Sequence, residues 1–137
     1  MRILIINGPN LNLLGKREPN MYGTQSFEDY LLELKSAFVQ VELDYFQSNH
    51  EGQLLDKLQE DNYDGVVMNP GGLAHTSVVL LDAIFAIKTP VIEVHISDVL
   101  KREPFRHVLL SAQACVKMIS GEGLYGYQLA IEAHLNS

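Results

Sequence analysis

Short apolar runs rich in Val and Ile recur along the chain at residues 3–6, 66–68, 91–94 and 116–119. They read as strands covered on both faces. The segment Val41-Glu42-Leu43-Asp44-Tyr45-Phe46 instead alternates with period two, which predicts a strand with one more exposed face. Helical patterns lie between these runs. Ser26-Phe27-Glu28-Asp29 supplies a capping hydroxyl and acids for a first turn, and Tyr30, Leu31, Leu34, Ala37 and Phe38 form the apolar stripe that follows. A second helix is expected over about 50–62, with Leu54, Leu55 and Leu58 inward. A third starts at Thr76 or Ser77 and stops before Thr89-Pro90, and a last one runs from about 123–125 to His134.

Alternation of strand and helix, with short continuous apolar strands, predicts an α/β fold whose parallel sheet has helices on both faces. Right-handed crossovers and five strands suggest a flavodoxin-like order of 2-1-3-4-5. Ligands of such sheets bind beyond the carboxyl ends of the strands where the order reverses, here between the first and third strands with the fourth beside them. The third helix departs from the usual pattern. Val78-Val79-Leu80-Leu81-Asp82-Ala83-Ile84-Phe85-Ala86-Ile87 is apolar on nearly every side, with Asp82 its only charge. It is either sandwiched within its own domain, which so short a chain can hardly arrange, or it meets a second subunit, with Asp82 facing that partner.

Length and composition narrow the classes. A chain of 137 residues forms one domain, 1–137. With 47% hydrophobic and 20% charged residues it is neither disordered nor low in complexity. The one cysteine, Cys115, excludes an internal disulfide framework and a cysteine-cluster zinc site, and is expected to be a buried core thiol. A net charge of -7 argues against nucleic-acid partners, which need a basic surface. The opening run 1–6 breaks at Asn7-Gly8-Pro9, too short for a signal peptide, and 18 apolar residues never run together. A soluble, cytoplasmic protein with no membrane partner is expected.

Candidate chemistry gathers where the strands end. The first strand is followed by Asn7-Gly8-Pro9-Asn10-Leu11-Asn12-Leu13-Leu14-Gly15-Lys16-Arg17-Glu18-Pro19-Asn20-Met21-Tyr22-Gly23, a connection far longer than is usual. Leu11, Leu13 and Leu14 suggest a lid that docks, with Gly15 and Gly23 as hinges. Arg17 and Tyr22 stand either as a cation-assisted phenolate base or as a solvated arginine and a tyrosine packed over the sheet edge. After the third strand, Asn69-Pro70-Gly71-Gly72-Leu73-Ala74-His75-Thr76-Ser77 brings flexible backbone, free helix-start amides, Asn69 and His75 toward the crevice, or is an ordinary turn before a capped helix. In the fourth strand, Glu93 and His95 share a face, so the carboxylate can fix the imidazole's tautomer and favour its protonated form. Leaving such a carboxylate buried and unpaired would be costly. The next stretch, Lys101-Arg102-Glu103-Pro104-Phe105-Arg106-His107, holds two of the chain's four arginines; it suits a small carboxylate ligand or is a solvated helix start. Gly121-Glu122-Gly123-Leu124-Tyr125-Gly126 spells a dinucleotide fingerprint, but no further strand follows and Glu122 would oppose a pyrophosphate. Tight helix–strand packing explains those glycines.

Taken in order, 7–15, Arg17-Glu18-Pro19, Tyr22-Gly23, Asn69-Pro70-Gly71, His75-Thr76-Ser77, Glu93-Val94-His95-Ile96-Ser97, Arg102-Glu103 and Phe105-Arg106-His107 closely resemble the motifs of type II 3-dehydroquinate dehydratases across the whole chain. The resemblance implies a flavodoxin-like domain assembled as a dodecamer of trimers, without metal or nucleotide cofactor. It implies a lyase of the shikimate pathway that removes water from 3-dehydroquinate by anti elimination through an enolate, giving 3-dehydroshikimate. By resemblance Tyr22 is the proton acceptor, Arg17 lowers its pKa and steadies the transition state, and His95, oriented by Glu93, donates a proton to the departing hydroxyl. Asn10 resembles the residue that holds a water against the enolate oxygen. Asn69, His75, Arg106 and the backbone of Ile96 and Ser97 match substrate-binding positions, and Asp82 matches an acid that reaches a neighbouring subunit's site.

Some positions depart from the family pattern: Asp98 in place of Asn, Leu73-Ala74 in place of Tyr-Thr, Val108-Leu109-Leu110 in place of more polar residues, and the charges of Lys117 and Glu122. The competing reading is a non-catalytic flavodoxin-like module that binds small anions. A phosphate-receiving switch domain would need acids at the end of the first strand, where Asn7 and Asn10 stand instead.

Overall fold

The computed structural model describes residues 1–16 and 24–137, so Arg17, Tyr22 and the expected hinge Gly23 lie outside the described residues. Five strands, β1 (Arg2–Asn7), β2 (Glu42–Gln47), β3 (Gly65–Asn69), β4 (Val91–His95) and β5 (Lys117–Ser120), form one sheet among the described residues. All its pairings are parallel and its order is β2-β1-β3-β4-β5. Four α-helices accompany them among the described residues: α1 (Phe27–Ala37), α2 (Glu51–Leu58), α3 (Val78–Ala86) and α4 (Tyr125–Leu135). The expected flavodoxin-like architecture is the one observed.

The period-two geometry of a strand divides each apolar run between two cores. Ile3 and Ile5 of β1, Val67 of β3, and Ile92 and Val94 of β4 pack with α1 and α4. Leu4, Ile6, Val66, Met68 and Val91 face the other way, onto α2 and α3. The central strands therefore have no polar face to spare, which is why their sequences do not alternate. β2 is the exception, at one edge of the sheet with Glu42 exposed and Leu43 buried.

Helix ends follow capping chemistry. Ser26 Oγ accepts the Asp29 amide at the start of α1, and Ser77 Oγ accepts the Leu80 amide at the start of α3. The stripe of α1 differs in detail from expectation: Phe27 is buried and stacks on Tyr45 with ring centroids 4.8 Å apart, whereas Ala37 is exposed. α2 ends at Leu58, before the expected 62. Asp61 takes a left-handed conformation (φ 47°), and its carboxylate accepts the amides of Lys88 and Thr89 and the Thr89 hydroxyl. Those bonds to the loop before β4 hold the chain out of a helical path. β5 starts at Lys117, leaving Val116 exposed at the outer edge.

The loops after β1 and β3 interlock. A Cβ on Gly8 would lie 2.6 Å from the Pro70 carbonyl oxygen, while the Gly8 amide donates to the Asn69 carbonyl at 2.7 Å. Only glycine permits that approach. Of the leucines expected to dock the long connection, Leu11 and Leu14 are buried and Leu13 is exposed. Gly15 has left-handed backbone, φ 89°.

At the opposite end of the sheet, His134 of α4 is buried and its Nε2 donates to the Val66 carbonyl at 2.8 Å. Its ring lies where a Cβ on Gly65 would sit, at 2.8 Å. Burial lowers the His134 pKa below its ordinary 6.5. A depressed histidine pKa means that the unfolded chain binds the proton first. The stability His134 contributes is therefore complete above pH 6.5 and falls as the pH drops below it. Melting temperatures between pH 8 and pH 4.5 should show a steeper acid loss in the natural chain than in His134→Gln. Equal slopes would show that His134 is not responsible.

Candidate active site

A cavity of about 220 Å³ opens at the carboxyl ends of β1, β3 and β4. It is the crevice that the strand order reverses around. Three loops wall it. Pro9, Asn10 and Leu11 come from the β1 loop, Asn69, Gly71, Gly72 and His75 from the β3 end, and His95, Ile96, Ser97, Val99, Arg102 and Arg106 from the β4 side. Asn10, Asn69, His75, His95, Ile96, Ser97 and Arg106 are thus brought together. Asp82 is not among them; it is exposed on α3 beside Val78, Val79 and Phe85, which are 56%, 49% and 65% exposed. Arg17 and Tyr22 belong to the undescribed segment.

Glu93 is fully buried directly behind His95. Its Oε2 lies 2.7 Å from His95 Nε2. A carboxylate only accepts, so Nε2 carries hydrogen and Nδ1 remains the ring nitrogen that can exchange a proton with a ligand. His75 stands over it, ring centroids 6.2 Å apart. Its Nδ1 donates to the Val108 carbonyl at 2.8 Å, which fixes the other tautomer and leaves Nε2 for a ligand. Opposite, Arg106 Nε bonds Glu103 Oε2 at 2.5 Å and holds that carboxyl below its usual pKa. Arg102 Nη1 donates to Ser97 Oγ at 3.3 Å. Asn10 sits in the left-handed region (φ 72°), an Asn-tolerant conformation, and its amide donates to Asn49 Oδ1.

Beneath these residues runs a polar network that the motifs did not disclose. Tyr127 Oη donates to Asn7 Oδ1 at 2.7 Å and accepts from Asn69 Nδ2 at 3.0 Å, and Asn69 Oδ1 in turn accepts the Gly71 amide. Burial pushes the Tyr127 phenol pKa well up, so it stays a donor. The sequence signal was Asn7, an amide ending an otherwise apolar strand, but its tyrosine partner is 120 positions away. Glu93 has a similar hidden partner in Ser111, whose Oγ lies 2.5 Å from Oε1. Cys115, expected as a core thiol, is only partly buried and lies 3.9 Å from the same oxygen.

Two of the departures from the family pattern find local explanations. Asp98 accepts the Leu100 amide as the cap of a 3₁₀ turn, Val99–Lys101, a task Asn performs equally well. The segment with Val108 and Leu110 is tied down by backbone: the Val108 carbonyl takes His75, and the Leu110 amide donates to the Ala74 carbonyl at 2.8 Å. Gly126 is pressed against β4 and β5, where a Cβ would meet Val94 Cγ1 at 3.1 Å. Helix–strand packing thus explains that glycine. Among the described residues, no three His, Cys, Asp or Glu side chains converge as metal ligands would, and no helix is long and apolar enough to cross a membrane.

A family model described as Dehydroquinase class II matches residues 1–135. The chain is 49% identical to a 3-dehydroquinate dehydratase of Halothermothrix orenii over 140 residues, covering 98% of this chain and 94% of the relative. It is 48% identical over 134 residues to one of Thermotoga petrophila, covering 96% and 93% respectively. Among solved structures, a type II dehydroquinase from Butyrivibrio crossotus superposes with a TM-score of 0.96 at 43% identity, covering 100% of this chain and 98% of that one.

The Asn7–Tyr127–Asn69 network lies behind the cavity, which Asn69 lines. Tyr127→Phe leaves Asn7 Oδ1 and Asn69 Nδ2 without that hydroxyl in a buried site, so chemical denaturation should show a loss of about 1–3 kcal/mol. A variant as stable as the natural chain would show that the two amides find other partners.

Proposed function

This chain belongs to the class II dehydroquinase family, and we propose how its own residues perform that family's reaction. The enzyme dehydrates 3-dehydroquinate to 3-dehydroshikimate, a step of the shikimate pathway and so of aromatic amino acid biosynthesis. Residues 1–137 act as one catalytic domain. A binding-only module of the same fold is not favoured, because the family match runs through residues 1–135 and the cavity holds a carboxylate-backed imidazole, which binding alone does not require.

The observation that carries the reading is that pair. His95, held through Nε2 by Glu93, presents Nδ1 as the proton donor for the leaving hydroxyl, and the carboxylate compensates the charge of the imidazolium. Tyr22 takes the proton next to the ketone, and Arg17 favours its phenolate and steadies the transition state. These two roles rest on the Arg17-Glu18-Pro19 and Tyr22-Gly23 motifs alone. An enolate forms once the base has acted, and Asn10 holds a water against its oxygen. Arg106 attracts the substrate carboxylate while Asn69, His75 and the backbone of Ile96 and Ser97 fix its hydroxyls. Acid and base then act from opposite faces, as anti elimination demands.

As part of the same reading, the enzyme works in the cytoplasm as a dodecamer of trimers and needs no cofactor. The exposed Val78, Val79 and Phe85 of α3 support burial against a second copy, which would carry Asp82 to a neighbouring cavity.

Tyr22→Phe should lower turnover by a factor on the order of 10²–10⁴, followed as enone absorbance with 3-dehydroquinate, EDTA and no added cofactor. Retained turnover would remove Tyr22 as the base. Sedimentation of the natural chain should show an assembly many times the 15.3 kDa of one copy. A monomer at micromolar concentration would contradict the role given to α3 and Asp82.

A further inference from the structure

We propose that Ser111 is a positioning residue of the dehydration, holding the Glu93 carboxylate turned toward His95. The inference rests on the reading of His95 as proton donor and deepens it. Ser111 is fully buried and opens a 3₁₀ turn, Ser111–Ala114, packed between α3 and β4. Its hydroxyl donates to Glu93 Oε1 at 2.5 Å, while Oε2 accepts from His95 at 2.7 Å. The two oxygens of one carboxylate are thus shared between a scaffold donor and the reacting ring.

The strength of the two donors to Oε1 decides the point. Cys115 Sγ stands 3.9 Å from Oε1 and 3.4 Å from the Ser111 carbonyl. Burial, reinforced by the Glu93 charge, raises the thiol's pKa, so Cys115 remains an S–H, a weak donor divided between two acceptors. Ser111 is therefore the strong donor to Oε1. A carboxylate with no exposed surface retains its charge only when its oxygens are bonded. Without the hydroxyl, Oε1 keeps only the weak thiol donor, the carboxylate is no longer held turned toward His95, and the imidazolium loses a well-placed countercharge. The consequence is read at His95, not at Ser111. The other titratable groups around His95 among the described residues are His75, Arg102 and Arg106, which line the same cavity, and Glu93 itself is faced by His95, Ser111 and Cys115. The cavity-lining groups are bases, so Glu93 is the countercharge that matters.

A serine that merely fills space would not affect His95's titration. With the full-length enzyme, Ser111→Ala should lower kcat about 10- to 100-fold, the worth of a hydrogen bond to a charged group, with KM nearly unchanged. The alkaline limb of kcat should move to lower pH. In the substrate-free protein, imidazole nitrogen NMR should show His95 losing its proton at lower pH than in the natural chain. Ser111→Thr, which keeps the hydroxyl, should restore both profiles even if its extra methyl lowers the melting temperature. Should Ser111→Ala not fold, Ser111→Cys supplies a weaker donor and should shift both profiles in the same direction by less. A folded variant lacking the hydroxyl with an unshifted His95 titration overturns the proposal, as does a Thr variant as impaired as Ala. Failure of the underlying reading looks different: His95→Asn would keep its turnover, whatever Ser111 does.

Discussion

A fully buried carboxylate in the middle of a parallel sheet is the most demanding group in this molecule, and much of the site is arranged around it. Moving an ionised carboxylate into a low-dielectric interior costs several kcal/mol unless its oxygens find donors. Glu93 finds them on both sides: His95 two residues along its own strand, and Ser111 in a turn that leaves the sheet and returns beneath α3. The strand supplies the first partner through its period of two, and the connection to β5 supplies the second. Neither would suffice alone, because each satisfies one oxygen. The same arrangement gives His95 one defined tautomer and a charge to balance its protonated form.

The neighbouring polar groups obey a similar logic. Asn7 and Asn69 end adjacent parallel strands, at paired register positions, so their side chains would compete for the same buried space. Tyr127, arriving from α4, reconciles them by donating to one amide and accepting from the other. That leaves Asn69 Oδ1 for the Gly71 amide and fixes the turn that leads to His75. The interlock of Gly8 with Pro70 then holds the first loop to the second. Positions of ligand-facing residues are set by bonds underneath them, as precise chemistry requires.

What could be read from the sequence was what local pattern encodes. Continuous apolar runs and period-two alternation revealed β1 to β5 and their layering, and the short range from Glu93 to His95 made that pair visible. The partners that were missed are those joined by long sequence separation: Tyr127 with Asn7, and Ser111 with Glu93. A serine in an apolar stretch and a tyrosine in an amphipathic helix look like filler until the fold brings them to an amide or a carboxylate. The early end of α2 was hidden for a related reason. Nothing near Asp61 indicates that its carboxylate will bond the amides of Lys88 and Thr89.

The charge distribution completes the picture. A chain with net charge -7 repels an anionic substrate at long range, so attraction must come from local placement. Among the described residues, Arg102 and Arg106 line the cavity. Glu103, an acid beside this cationic wall, is already bonded to Arg106, which fixes the guanidinium while leaving its remaining donors for a ligand. Asp98, which stands where the family pattern has Asn, directs its charge to a backbone amide at the start of a 3₁₀ turn. Thus the negative groups of the β4 loop serve as anchors for the positive ones and for the backbone. Glu93 lies deeper than these, fully buried, with His95 between it and the cavity.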